Sequence, residues 1–180
     1  VASTVNETLL THHLLETVEN EALRRHVLDE YLERFRSTLF RQTMFADFEL
    51  QIHDVVEDGG ALTPDRFDQL YGDLKRQYYE PAVVDDHIAR EWMRIPHFYM
   101  SYYVYQYSTG ISAATAIVER IREEGEPAAA DYREALRLGG SAYPLDVLET
   151  AGVDMTTAEP IEDALDVYGT YLDEMASLVG

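Results

Sequence analysis

The amino-acid sequence predicts an all-α fold, and three observations lead to this prediction. Apolar residues recur at helical spacing over most of the chain, most clearly from Glu21 to Val56. No segment alternates polar and apolar residues for long enough to predict a β-strand. The connections are short and are marked by proline and glycine. A long first helix and a second helix of about 35 residues favour a layered multi-helix assembly over a simple four-helix bundle.

Local signals set the expected helix boundaries in chain order. The run that starts at Glu21 should stop at Asp58-Gly59-Gly60 because glycine ends helices. Thr63 should cap the next helix, with Pro64 as its first residue. Further helical segments are expected, in order, within residues 82–95, from about Tyr99 to Glu124, and within residues 127–138, 143–152 and 159–179.

Length and composition bound the class of protein. The 180 residues predict a single helical domain, residues 1–180. The absence of cysteine excludes a disulfide framework, thiolate zinc sites and a cysteine nucleophile. No stretch reaches the roughly 18–20 apolar residues of a membrane helix, and the first residues, VASTVNETLL, lack the basic region of a signal peptide. We therefore expect a cytoplasmic protein.

The charge of the chain is strongly negative. Thirty-four acidic residues against fourteen basic ones give a net charge of −20, and Lys75 is the only lysine. Such a field repels nucleic acid and anionic membranes, so neither is an expected partner. The acidic residues could form a patch for a cation or a protein partner. Because they are spread along the whole chain, a solvated surface adapted to a salt-rich cytoplasm is the favoured interpretation.

The histidines predict no metal site within the chain. His12 and His13 are adjacent, so on a helix they point about 100° apart and cannot chelate one ion comfortably. No HExxH motif is present. His13 and Glu16 have i, i+3 spacing and could bind a metal, although surface pairing is the favoured alternative.

Five tyrosines lie within residues 96–110, PHFYMSYYVYQYSTG. If this segment is helical, Tyr102 and Tyr105 project from one side, and His97 lies in a loop before the helix. These three side chains could converge as hydrogen-bond donors on a developing oxyanion, which is an established catalytic device. The alternative is an aromatic core stripe with its hydroxyls at the water boundary, and the pattern alone favours this alternative.

Two segments resemble a known family. VASTVNETLL together with PHFYMSYYVYQYSTGISAA resembles the carboxy-terminal portion of the oligoendopeptidase F enzymes, which are thimet-oligopeptidase-family zinc metallopeptidases. GGSAYPLDVLETAGVDM resembles the ending of the same family, so the likeness extends over essentially the whole chain. The resemblance implies the carboxy-terminal part of a larger helical metallopeptidase that cleaves short peptides.

The resemblance also implies where zinc would be held. In that family the ligands are the two histidines of HExxH and a glutamate on a following helix, which would stand one residue before Val1. We therefore expect zinc in the intact enzyme and none in this chain alone, which by itself should be inactive. Glu7, seven residues or two helical turns after that glutamate, could orient a zinc-bound histidine. A plain surface or ion-pair role for Glu7 is an equal alternative.

The residues that the resemblance assigns to catalysis are Tyr105, Tyr102 and His97. The family has a histidine-containing loop followed by a pair of tyrosines that polarise the scissile carbonyl and stabilise the oxyanion. The remaining tyrosines of the segment are expected to pack, namely Tyr99, Tyr103 and Tyr107. The expected partners are short peptide substrates and the amino-terminal part of the same enzyme, and a homodimer of the chain is left open. The rival interpretation is a non-catalytic acidic helical domain that binds a partner.

Overall fold

The computed structural model describes residues 1–179, and these residues form helices without a β-strand, which confirms the all-α prediction. The α-helices are α1 (Ala2–Thr17), α2 (Glu21–Phe35), α3 (Arg41–Glu57), α4 (Pro64–Tyr79), α5 (Asp86–Ala89), α6 (Tyr105–Glu124), α7 (Glu126–Leu138), α8 (Pro144–Thr150) and α9 (Glu159–Val179). A π-helical turn spans Arg36–Phe40, and two 3₁₀ turns span Glu91–Arg94 and Pro96–Tyr99. None of the described helices is apolar over enough of its length to span a membrane.

The predicted second helix of about 35 residues is present, with a π-turn in its middle. The helix runs from Glu21 to Glu57, and the wide turn Arg36–Phe40 joins α2 to α3. A π-turn shifts the backbone hydrogen-bond register. Near this turn the carbonyl of Leu39 accepts hydrogen bonds from the hydroxyls of Thr43 (2.8 Å) and Ser108 (3.1 Å). Side chains therefore supply donors at the place where the helical ladder changes.

The local capping signals give the expected boundaries. The Thr63 hydroxyl accepts a hydrogen bond from the backbone N–H of Arg66 (3.2 Å), and Pro64 is the first residue of α4. The long helix ends at Glu57, and Gly59 follows with φ 81°, a left-handed conformation that favours glycine. These ends depend on neighbouring residues, which is why the sequence predicts them.

The chain forms two compact units, each with its own hydrophobic core. The first comprises Val1–Arg36 together with the chain from Thr109 onward, and the second comprises Ser37–Ser108. The core of the first unit contains Val5 of α1 and a buried face of α6 rich in small and β-branched residues. Small side chains on that face allow helices to approach closely. Tyr132 and Val153 complete this first core. The core of the second unit contains Met44, Phe48 and Tyr71.

The helix predicted from Tyr99 to Glu124 begins six residues later, at Tyr105. Residues Pro96–Tyr99 form a 3₁₀ turn, and Ser101 and Tyr102 have positive φ angles of 31° and 55°. Two consecutive residues in this region cannot continue a right-handed helix. The helix boundary in the prediction is therefore wrong, and the tyrosine segment is divided between a loop and the first turns of α6.

Candidate active site

The tyrosine segment is fixed at both ends by apolar side chains in the core of the second unit. Phe98 packs against Phe45 and Phe48 of α3, with ring centroids 5.5 Å and 5.2 Å away. Val104 is completely buried in the same core. Between these two anchors, residues 99–103 form a short loop. A loop held in this way can present side chains from a defined backbone.

Tyr102 lies in the left-handed region of backbone conformation, which is unusual for an aromatic residue. Its backbone N–H donates a hydrogen bond to Oε1 of Glu49 (2.6 Å), and its ring lies 4.5 Å from the ring of His53. Glu49 and His53 are one turn apart on α3, and Glu49 is only 1 % exposed. A left-handed non-glycine residue costs about 1–2 kcal/mol, so these contacts offset a real strain.

The hydroxyl of Tyr102 is a protonated donor at neutral pH. Desolvation raises the pKa of Tyr102 above its ordinary value of 10.0, and the negative charges of Glu57, Asp54 and Glu49 raise it further. Both effects disfavour the phenolate. Tyr102 is 43 % exposed, so part of the residue is at the protein surface.

His97 associates with Tyr103 and Tyr107. Its imidazole is parallel to the ring of Tyr103 (interplanar angle 4°) and perpendicular to that of Tyr107 (90°), both with centroids 5.8 Å away. The hydroxyl of Tyr107 lies 3.4 Å from Nε2 of His97 and 3.3 Å from the hydroxyl of Tyr103. The hydrogen bond with Tyr103 is the main cause that raises the pKa of Tyr107.

This arrangement corrects two details of the sequence analysis. Tyr102 and Tyr105 do not share one helical face, because Tyr105 is the first residue of α6 and Tyr102 precedes the helix. Tyr105 is 50 % exposed, so its side chain, like that of Tyr102, is at the surface. The expectation that Tyr99 packs is wrong, since it is 89 % exposed. The packing predicted for Tyr103 and Tyr107 is confirmed, and these two residues are the ones beside His97.

Glu49 is the residue of this site that sequence reasoning missed. It lies in α3, in the segment FADFELQIHDVV, four residues after Phe45 and three before Ile52, and the sequence analysis did not single it out. Its partner, the N–H of Tyr102, is 53 residues away in the chain. An acidic residue on the apolar side of a helical pattern was the available signal, because a buried carboxylate requires a hydrogen-bond donor.

Glu7 lies on α1 in the first unit, and its carboxylate is at the surface. Its Oε2 forms an ion pair with Nη1 of Arg34 (3.4 Å), and its side chain is 57 % exposed. This is the ion-pair role that the sequence analysis left open. A role in orienting a zinc ligand stays a prediction.

The described residues do not fit a catalytic zinc ion. Within residues 1–179, no three histidine, aspartate or glutamate side chains lie close enough together to coordinate a metal. A catalytic zinc site needs three such protein ligands and an open position. What these residues offer is a surface with exposed phenol groups, which can donate hydrogen bonds to an acceptor such as a carbonyl oxygen.

Comparison with known proteins identifies relatives over the whole chain. The model of peptidase family M3 matches residues 1–167. The chain is 51 % identical over 180 residues to oligopeptidase PepF of Bacillus subtilis, covering 99 % of this chain and 27 % of that protein. It is 43 % identical to the group B oligopeptidase PepB of Streptococcus agalactiae, covering 30 % of that protein.

A solved structure has the same fold. The crystal structure of oligoendopeptidase-F from Enterococcus faecium matches with a TM-score of 0.94 and 46 % sequence identity. The match covers 99 % of this chain and 34 % of that one. The chain therefore spans about a third or less of the length of these relatives, and it corresponds to one part of each of them.

Proposed function

This chain belongs to peptidase family M3, a family of zinc metallopeptidases, and we propose that it forms the carboxy-terminal helical part of an endopeptidase that cleaves short peptides. The names of its relatives support this proposal, because they describe oligopeptidases and an oligoendopeptidase. In this proposal the amino-terminal part of the same enzyme is the partner of the chain.

The observation that carries a catalytic role for the loop is the strained backbone of Tyr102. Residues in sparsely populated φ/ψ regions cluster at active sites, where surrounding contacts hold them. Here Glu49 and His53 hold Tyr102 while leaving its ring at the surface. If the ring of Tyr102 served only for packing in the core, the strained backbone at this residue would have no benefit.

In the proposed reaction, Tyr102 and Tyr105 donate hydrogen bonds to the scissile carbonyl oxygen of a bound peptide. Negative charge develops on that oxygen as the carbon becomes tetrahedral, so the donors bind the transition state more strongly than the substrate. A donor of this kind contributes about 3 kcal/mol to transition-state stabilisation. The raised pKa of Tyr102 suits this role, because a phenolate could not donate.

His97 supports the same site from one side of the loop. Its Nε2 faces the hydroxyl of Tyr107, so the Nδ1 edge is the one with which we propose that it contacts a peptide. Glu7 is proposed to orient a zinc-bound histidine of the complete enzyme. Zinc activates water in such an enzyme, and because the described residues do not fit the ion, no step assigned to this chain goes through it.

The proposal is tested in the complete peptidase by removing single hydroxyl groups. Tyr105→Phe and Tyr102→Phe keep the ring, and each should lower kcat, by roughly 10²–10³ for the principal donor, which we assign to Tyr105. Tyr99→Phe is the matched control, since its exposed hydroxyl belongs to the same segment but has no proposed role. If Tyr105→Phe and Tyr99→Phe have the same kcat as the unmodified enzyme, the assignment is wrong.

A further inference from the structure

A cluster of positive charge lies in the second unit of this acidic chain. The carboxylate of Glu91 receives Nζ of Lys75 (2.8 Å), the guanidinium groups of Arg41 and Arg94, and the hydroxyl of Tyr71 (2.8 Å). Lys75, Arg41, Arg94 and Glu91 together carry a net charge of +2. In a chain with a net charge of −20, such a surplus is unexpected.

The excess of positive charge around Glu91 persists at physiological pH. Burial would raise the pKa of Glu91, but hydrogen bonds from Lys75, Arg94 and Tyr71 lower it to about 2. Glu91 therefore stays ionised and neutralises only one of its three cationic neighbours. An ion pair between one lysine and one glutamate would have sufficed to compensate a buried Lys75.

A cavity of about 570 Å³ opens beside this cluster, a volume within the usual range for ligand sites. Lys75, Arg90 and Arg94 line it, together with two acidic residues. Both acids already have partners. Asp85 accepts a hydrogen bond from the N–H of Ile88 at the start of α5 (2.8 Å), and the carboxylate of Glu91 binds the basic side chains described above. Lys75 and Arg90 are engaged too, with Glu91 and Asp68, and Arg94 is the most exposed of the three basic residues.

Arg94 has the geometry to bind an anion without leaving Glu91. Its contact with Glu91 uses Nη2 alone, and its side chain is 71 % exposed. A guanidinium carries five N–H donors in a planar fork that matches a carboxylate. Ile88 and Met93 add exposed apolar surface to the same cavity.

We propose that this cavity binds the free carboxyl terminus of a peptide, with Arg94 as the charge partner and Ile88 and Met93 against the last side chain. The apolar surface favours the terminal carboxylate of a residue with an apolar side chain over inorganic phosphate. The neighbouring carboxylates of Asp85 and Glu91 also oppose a dianion more strongly than a monoanion. The inference rests on the proposed function, because it names the end of the peptide that an oligopeptidase of this type would recognise.

The test uses the 180-residue chain and two probes that differ only in the terminal group, the charged acid N-acetyl-leucine and the neutral amide N-acetyl-leucinamide. Binding is followed by NMR on the indole N–H of Trp92, the only tryptophan. Its N–H donates to Asp68 (2.8 Å), which also binds Arg90 of the cavity. The acid should give saturable shifts, and the amide should bind about 10- to 100-fold more weakly, the usual range for a charge-assisted hydrogen bond.

Two variants identify the residue responsible. Arg94→Gln should weaken binding of the acid by about 10- to 100-fold and leave binding of the amide unchanged. Arg137→Gln is the matched control, because Arg137 has the same exposure (70 %) and the same i, i+3 pairing, with Glu134, but belongs to no cluster. This control should bind the acid as the unmodified chain does.

Several results would overturn the inference. Equal binding of acid and amide, no shift with either probe, or no effect of Arg94→Gln would each do so. If inorganic phosphate binds as tightly as N-acetyl-leucine, the cavity is a site for a free anion and not for a peptide terminus. None of these results depends on hydrolysis, so they leave the proposed peptidase function to be judged by cleavage of peptides in the complete enzyme.

Discussion

The backbone strain at Tyr102 can be measured by comparing glycine with alanine at this position. Tyr102→Gly and Tyr102→Ala both remove the ring and its contact with His53, so the difference between them depends on the backbone alone. At φ 55° alanine bears the left-handed cost of about 1–2 kcal/mol, which glycine avoids. Glycine loses about 0.4–1 kcal/mol through its more flexible unfolded chain.

The first effect is larger, so Tyr102→Gly should be more stable than Tyr102→Ala by roughly 0.5–1 kcal/mol. The free energy of unfolding is measured in urea, with Trp92 fluorescence reporting on the second unit. Met100 provides the control, because it is an exposed residue of the same loop with φ −106°. There the order should be reversed, with Met100→Ala more stable than Met100→Gly. Alanine equal to or better than glycine at position 102 would refute the strained loop.

Three further predictions concern the whole chain. The melting temperature should rise markedly between about 0.1 M and about 2 M KCl, because salt screens the self-repulsion of −20 charges, and a flat curve would contradict the interpretation of a salt-adapted surface. Burial is the main cause, followed by Arg122, that lowers the pKa of His12 from 6.5 to about 4 in the folded chain. As the pH falls, His12 is therefore protonated in the unfolded chain before it is protonated in the folded chain. Stability should therefore decrease between about pH 6.5 and pH 4, and His12→Gln should reduce this decrease while the exposed His26→Gln does not. Dialysis of the chain against micromolar zinc should leave no stoichiometric metal, and one equivalent retained after metal analysis would contradict the expected absence of ligands.

The parts of the fold that follow from local signals could be predicted from the sequence. Thr63 and Pro64 fix the start of α4 through a hydroxyl and a ring that act on neighbouring residues. The helix from Glu21 to Glu57 follows from apolar spacing, although the π-turn inside it has no comparable signal. When the residues that cause a helix boundary lie within a few positions of it, the boundary can be predicted from the sequence.

The tyrosine loop could not be predicted, because its cause lies elsewhere in the chain. The residues from Tyr99 to Val104 have a spacing that fits a helix, but the carboxylate of Glu49 binds the N–H of Tyr102 and Val104 enters the core. Tertiary contacts of this kind override local preference. The sequence did indicate the segment in which we propose the site, while the partners of each side chain needed the structure.

The most direct test of the proposed role of the tyrosines uses a phosphinic peptide, whose tetrahedral group imitates the transition state of peptide hydrolysis. If Tyr105 donates to the oxyanion, Tyr105→Phe in the complete peptidase should raise the inhibition constant of this compound by the factor by which it lowers kcat/KM, roughly 10²–10³. Tyr99→Phe should change neither quantity. An unchanged inhibition constant beside a lowered kcat/KM would show that the hydroxyl of Tyr105 does not contact the oxyanion, and would contradict the account.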